Sequence, residues 1–328
     1  MSAPSVSVAL CTRNGARYLV AQVQSICAQV PPPDEIVVSD DESSDGSVAI
    51  VRATLAQHGA ANTPALTVLE NRPALGVTRN FEQAVRACRS DLIALCDQDD
   101  AWHAGRLARM VDAFRSRPEL LLLHSDARLV DGDLAPLGST LFEALEVKPS
   151  ELAGIAAGQA FFVLQRRNLV TGATTVFRRS LLTAALPFPP EWVHDEWLAA
   201  IAAATGCMDV VPEPLIDYRQ HASNQIGARR PTVREKLAKA VAPRGRKHAE
   251  RLRRAEVLLE RLESLGPQVP SACLQAQRDK VAHQRFRTGL PPSRLLRWMP
   301  VLLAAARGRY ERFDRGWQSV AQDLLESG

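Results

Sequence analysis

The chain has 328 residues, 46% of them hydrophobic and 23% charged, with a formal net charge of +4. That is material for a large core and about two domains, and it excludes a disordered, collagen-like or low-complexity chain. No run approaches the ~20 apolar residues that span a bilayer, and Met1-Ser-Ala-Pro4 leads straight into a strand-like run, so no secretory leader is expected.

In chain order, Ser5 to Cys11 reads as a buried strand and Tyr18 to Gln29 as a helix broken by Pro31-Pro-Pro33. Glu35 to Ser39 is a second strand, ending at Asp40 and Asp41. Ser43 to Ser47 supplies turn and N-cap residues for a helix through about Gln57. Ala65 to Glu70 is a third strand, Thr78 to Cys88 a helix, Leu92 to Cys96 a fourth strand. A helix over Gly105 to Arg115 and a strand over Leu120 to Asp126 follow. Pro136 to Gln165 has no clear period. Leu169 to Phe177 reads as a strand interrupted at Gly172, where a ligand or backbone approaches closely. An Ala-rich helix enters through Glu191 to Trp197, Met208 to Val211 reads as a short strand, and Leu215 to His221 follows Pro214. Strands alternating with helices imply an α/β fold, a mostly parallel sheet flanked by helices. Lys236 to Leu265 reads as a basic helix with Leu252, Ala255, Leu258, Leu259 and Leu262 in one stripe; Pro300 is expected to kink or interrupt a later one. The expected domains are residues 1–227 and a basic helical extension, 228–328.

Six scattered cysteines without Cys-x-x-Cys spacing point to a reducing, cytoplasmic setting and away from zinc or disulfides. The charge is uneven. Residues 1–227 hold 18 Lys and Arg against 26 Asp and Glu, whereas residues 228–328 hold 22 against 10. An acidic body with a basic tail points to an anionic surface as the tail's partner.

In parallel sheets, ligands bind beyond the carboxyl ends of the strands. Three polar clusters fall at such ends: Thr12 to Asn14, Asp40 with Asp41, and Asp97-Gln-Asp-Asp100. Carboxylates crowded at a strand end repel one another unless a cation offsets them. Mg²⁺ and similar hard cations are held by one or two carboxylates plus substrate phosphates. The third cluster therefore reads as a metal–diphosphate site; the plainer alternative is an acidic turn before a helix.

Taken together, Thr12-Arg-Asn14, Asp40-Asp-x-Ser-Ser-Asp-Gly46, Gly76 to Asn80, Asp97-Gln-Asp-Asp-x-Trp102, His194-Asp-Glu-Trp197 and Tyr218-Arg-Gln-His-x-x-Asn224 resemble family 2 glycosyltransferases of the GT-A fold, with closest likeness to rhamnosyltransferase-like members. The resemblance covers roughly Ser5 to Gly227, with a weaker echo in Phe313 to Trp317. It implies inverting transfer of a sugar, with dTDP-rhamnose or a UDP-sugar as donor and a glycan or lipid-linked glycan as acceptor. It further implies that Asp40 meets the nucleobase, with Thr12, Arg13 and Asn14 around the nucleotide. Arg79 and Asn80 would face the ribose or diphosphate, and Asp97 the ribose or sugar. Asp99, with His221, would hold Mg²⁺ or Mn²⁺. Asp195 would be the general base, rivalled by Glu196 and His194. Thr171, Gly172 and Trp197 would border the acceptor, although Trp102 and Trp197 could equally pack. One departure is Glu42, which stands where the family commonly has glycine.

Two other functions compete. A nucleotidyltransferase would need a Gly-rich phosphate loop after the first strand, and Thr12-Arg-Asn-Gly15 lacks the glycines. A nucleic-acid-binding role for the basic tail lacks interleaved aromatics, so no nucleic-acid partner is expected. Arg294 to Ala306, with its Leu, Trp and Met residues, is instead expected to lie on an anionic membrane, at the cytoplasmic face of the inner membrane. The plainer alternatives are packing on the body or a homodimer.

Overall fold

The computed structural model describes residues 3–58, 63–221 and 246–326. The chain divides into two compact units, residues 1–152, 170–202 and 206–228 in the first and 153–169, 203–205 and 229–328 in the second.

The first unit opens with β1 (Val6–Thr12), α1 (Ala16–Cys27), β2 (Glu35–Asp41), α2 (Ser47–Ala56), β3 (Ala65–Asn71), α3 (Val77–Ala87) and β4 (Leu92–Cys96). Every residue of β1, β2 and β4 is buried, because helices cover both faces of the sheet. Further along the chain come β5 (Ala101–Trp102), α4 (Arg106–Ser116), β6 (Leu120–Val130), β7 (Pro136–Thr140), α5 (Leu141–Ala144) and α6 (Pro149–Ala156), then α7 (Ala160–Leu164), which belongs to the second unit. Last are β8 (Thr175–Arg178), α8 (Leu182–Ala185), α9 (His194–Thr205) and β9 (Cys207–Arg219).

The strands form one sheet in the order β3-β2-β1-β4-β8-β6-β9-β5, with β7 paired to β6. β3, β2, β1 and β4 run parallel, and β8 runs antiparallel to both β4 and β6. The chain winds outward from β1 to β3 and then crosses to β4 on the other side of β1. That reversal opens a crevice between the carboxyl ends of β1 and β4.

Three elements depart from the sequence reading. Gly172–Thr174 is a 3-10 turn and the strand begins only at Thr175. The short strand expected over Met208 to Val211 continues past Pro214 as β9, because Pro214 falls at a register shift against Asp126 of β6, where a missing N–H is tolerated. Pro136 to Gln165 resolves into a short exposed strand and three short helices.

The second unit holds α7 with α10 (Lys247–Ser264), α11 (Ser271–Thr288), α12 (Arg294–Ala306), α13 (Arg309–Phe313) and α14 (Trp317–Leu325). The first part of the expected basic helix, residues 236–245, lies outside the described residues. Pro300 sits inside α12 without ending it. The unit's small apolar cluster of Leu290, Val301, Ala304, Tyr310 and Val320 is reinforced by buried ion pairs. Arg287 donates two 2.7 Å bonds to Asp323 and lies 3.0 Å from Asp314, while the Tyr310 hydroxyl donates to Asp323 at 2.7 Å. His248, Asp323 and Glu326 also converge. Their carboxylate oxygens already meet Arg287, Tyr310, Lys247 and His248, so the cluster is an ion-pair network rather than a metal centre.

Candidate active site

The site grows from the crevice between β1 and β4. Register pairs Thr12 with Asp40, so two strand ends stand side by side. Gln98 closes the gap to β4: its side-chain oxygen accepts from the Thr12 hydroxyl and the Arg13 N–H, both at 2.8 Å. A Cβ at Gly15 would lie 2.4 Å from that same oxygen and 2.8 Å from the Thr12 hydroxyl, so a side chain there would push Gln98 off its two partners. Asn14 sits at φ +51°, and its side chain accepts from Ser44 N–H at 2.9 Å.

Asp40 is buried. Its Oδ1 accepts from Ser43 N–H at 3.0 Å, and its Oδ2 has no partner among the described residues. A cleft of about 420 Å³ opens beside it, lined by the first turn of α2, Glu42, Ser43, Glu70 and Arg72. Neighbouring Asp41 is structural: it accepts from Leu75 and Gly76 N–H at 2.6 and 3.0 Å. Glu42 adopts φ +67°, a left-handed conformation natural to glycine, at the position where glycine was expected.

Beyond β4 the acidic run divides by environment. Asp97 is half-buried, and burial, then the charges of Asp99 and Asp195, push its carboxyl up to about 7. Asp99 Oδ2 lies 2.7 Å from His221 Nε2. Asp100 is buried; its Oδ1 accepts from Arg219 N–H at 3.0 Å and its Oδ2 has no partner among the described residues. Burial raises its carboxyl, and Asp99 and Asp97 add to that. The charges of Asp100, Asp97, Asp99 and Asp195 all reach the Tyr218 phenol, which burial and those charges raise. Residues from β4, α9 and β9 therefore converge on one acidic pocket.

His221 is held from behind by Tyr18 and Arg219. Its ring stacks on Tyr18, centroids 4.8 Å apart, and the Arg219 guanidinium sits 4.6 Å from the centroid of Tyr18. Arg219 also donates to the carbonyls of Asp99 and Gly132, at 2.5 and 2.6 Å.

Asp195 lies in the first turn of α9. Its Oδ2 accepts from Gly172 N–H and its Oδ1 from Glu196 N–H, both at 2.7 Å. Gly172 thus approaches the Asp195 carboxylate. His194 is buried, lies flat on Phe81 with centroids 3.8 Å apart, and has no hydrogen-bond partner at either nitrogen among the described residues. Burial drives its pKa down to about 3, so it stays neutral.

Two expected site residues are corrected. Asn80 is buried and ties β2 to α3, bonding Ser39 through both its amide groups and accepting from Asn71, so it has nothing to offer a ligand. Trp197 is wholly buried and donates to Ala185 O at 2.7 Å; it packs and borders no acceptor. Trp102 is likewise buried, beneath Arg106. Arg79 and Arg13 are exposed, and Thr171 is half-buried beside Gly172.

Solved structures share this fold. A mannosyltransferase of Pyrobaculum calidifontis, solved with GDP-Man and Mn²⁺, superposes with a TM-score of 0.53 at 20% identity, covering 99% of this chain and 86% of that one. Staphylococcus aureus TarS (residues 1–349), solved with UDP-GlcNAc, gives 0.51 at 16% identity over 97% and 90% of the two chains. These likenesses show the GT-A fold. An uncharacterised glycosyltransferase of Nostoc sp. (strain PCC 7120) is 26% identical over 243 residues, 72% of this chain and 71% of its own. Chondroitin synthase of Escherichia coli is 27% identical over 128 residues, only 18% of its length. Residues 7–183, more than half of the chain, match the family described as glycosyl transferase family 2, and the chain belongs to that family.

Proposed function

We propose that this chain moves a sugar, with inversion, from a nucleoside-diphosphate donor to a hydroxyl of a glycan or lipid-linked glycan acceptor, with dTDP-rhamnose as donor. The observation that carries the reading is the shared pocket of Asp195 with Asp97 and Asp99: the Asp195 charge is felt at Asp97. That proximity supports a base for the acceptor close to the groups that would hold the donor.

Asp195 takes the proton from the acceptor hydroxyl as that oxygen attacks the anomeric carbon. Gly172 N–H and Glu196 N–H fix its two oxygens. His194 is no rival base, because a neutral ring with so low a pKa holds a proton poorly. Asp40, with its free Oδ2, takes the nucleobase, and Thr12, Arg13 and Asn14 shape the nucleotide pocket beside it. Asp97 faces the ribose or sugar, and exposed Arg79 is free to reach the diphosphate.

The donor set fits a hard divalent cation: carboxylate oxygens and one imidazole, with excess negative charge and a buried Asp100 oxygen that no described residue satisfies. Asp99 and His221 would hold Mg²⁺ or Mn²⁺. The bound ion would neutralise charge on the departing nucleoside diphosphate. The basic helical unit is the part that meets an anionic membrane surface at the cytoplasmic face, where a lipid-linked acceptor would lie.

The test is a panel of nucleotide sugars in thermal-shift and transfer assays, with and without Mn²⁺. dTDP-rhamnose should give the largest shift, and Asp99→Asn should abolish the effect of Mn²⁺. Asp195→Asn should cut kcat by about 10²–10⁴ with donor affinity unchanged. Collapse of donor affinity in Asp195→Asn would move this residue into the nucleotide site and sink its role as base.

A further inference from the structure

We propose that the second unit carries a docking site for anionic phospholipid: the solvent face of α12 enters the headgroup layer, and Arg307, Arg309 and Arg312 take a lipid phosphate at its C-terminal end. The proposal rests on the membrane-facing reading above and assigns the face and the anion site that would perform it.

α12 is amphipathic the wrong way round. It buries Arg297, Val301 and Ala304, at i, i+4 and i+7. The Arg297 guanidinium is spent on the carbonyls of Pro291, Pro292, Asp323 and Glu326. The charge in mid-helix is therefore turned inward, and the outward face is left apolar. Leu295, Leu296, Trp298, Met299, Leu302 and Leu303 are 83, 65, 53, 73, 41 and 51% exposed. At 100° per residue these positions cover an arc of about 160°. A helix of a soluble domain shows charged residues there. An exposed apolar patch of several hundred Å² marks an interaction site.

Charge decides the occupant. Arg294 and Arg307 are exposed at the two ends of the apolar face. Just past it, a cleft of about 230 Å³ is lined by Arg307, Arg309, Arg312, Asp279, Ala282 and Phe313. Arg309 lies over the Phe286 ring and Arg312 over Phe313, at 5.5 and 5.2 Å from the centroids, which holds the guanidinium planes in place. Among the cleft residues one carboxylate, Asp279, faces three guanidinium groups, and it lies 3.7 Å from Arg312. Guanidinium forks suit phosphate oxygens. A second copy of the chain is a poorer occupant. Antiparallel pairing of the apolar faces would set Arg294 of one copy against Arg307 of the other, and parallel pairing would set each arginine against itself. An anionic bilayer satisfies both the apolar face and its basic ends.

The test is co-sedimentation of the full chain with phosphatidylcholine vesicles, with and without phosphatidylglycerol, at low and high salt. The wild type should bind only the anionic vesicles, and salt should weaken that binding. A Leu295→Glu, Met299→Glu double variant should lose binding, and Arg307→Gln and Arg312→Gln should each weaken it about fivefold. Both positions of the double variant are solvent-exposed, and the donor-induced thermal shift checks that each variant is folded. Wild-type vesicle binding that survives in all the variants overturns the assigned face while leaving the membrane reading standing. No binding of the wild type at low salt overturns both. Two further results overturn the proposal. In one, the double variant dissociates a dimer in sedimentation velocity without changing vesicle binding. In the other, inorganic phosphate stabilises the chain through Arg307 and Arg312 while vesicles do not bind.

Discussion

Gly172→Ala is the sharpest probe of how Asp195 is aimed. The new Cβ would lie 3.1 Å from His194 Nε2 and 3.5 Å from Asp195 Oδ2, so something must give by a few tenths of an ångström. His194 has little room to do so, being buried and flat on Phe81. The displacement falls on the Gly172 backbone, whose N–H holds Asp195 at 2.7 Å. A hydrogen bond to a charged group is worth about 1.5–3 kcal/mol, so loosening it should cost kcat roughly ten- to a hundredfold. Overpacking should also lower folding stability by about 1–3 kcal/mol. The assay is steady-state transfer at saturating donor, with donor affinity by calorimetry and stability by urea titration. Donor affinity should hold while kcat falls. A variant that loses stability yet keeps kcat within twofold of wild type would refute the positioning argument, since the carboxylate would then not depend on that N–H.

Two further outcomes are expected. Glu42→Gly should raise the melting temperature by a few degrees, because a non-glycine left-handed residue costs about 1–2 kcal/mol and the weak 3.4 Å bond from Ala74 N–H recovers little; a lower melting temperature would mean that bond matters more than the strain. Asp217 is gripped by His103 at 2.8 Å and by Arg128 at 2.7 and 2.8 Å; burial would raise its carboxyl, but these bonds and charges outweigh that and hold it at about 2, against an ordinary 3.8. Its contribution, about 2 kcal/mol, is therefore complete above pH 4 and lost as pH falls toward 2, and Asp217→Asn should flatten the acid limb of stability against pH by that amount.

The parallel strands were legible because burial on both faces turns them into nearly unbroken apolar runs, as in Val6 to Cys11, interrupted only by Ser7, and Leu92 to Cys96. Their polar ends, Thr12, Asp40 and Asp97, showed where the rim lies. Pro136 to Gln165 was illegible because β7 is largely exposed and α5 and α7 have 4 and 5 residues, too short for a period to develop. Asn80 misled because its partners, Ser39 and Asn71, are brought to it only by sheet pairing. Tyr18 escaped because it acts on His221, a group distant along the chain, and Gly172 was legible as a point of close approach but not as the N–H that meets Asp195.

Thr12 and His221 stand at opposite ends of the catalytic sequence, yet the strand order brings β1 and the end of β9 to one pocket. During synthesis, β1 to β4 can assemble the nucleotide half of the rim early. The imidazole arrives only after β8 and β6 have slotted between β4 and β9. Such long-range closure is slow, because loop entropy is spent before the contact rewards it. A ligand that needs both halves of the rim would therefore stabilise only the finished sheet, by mass action on the native state alone.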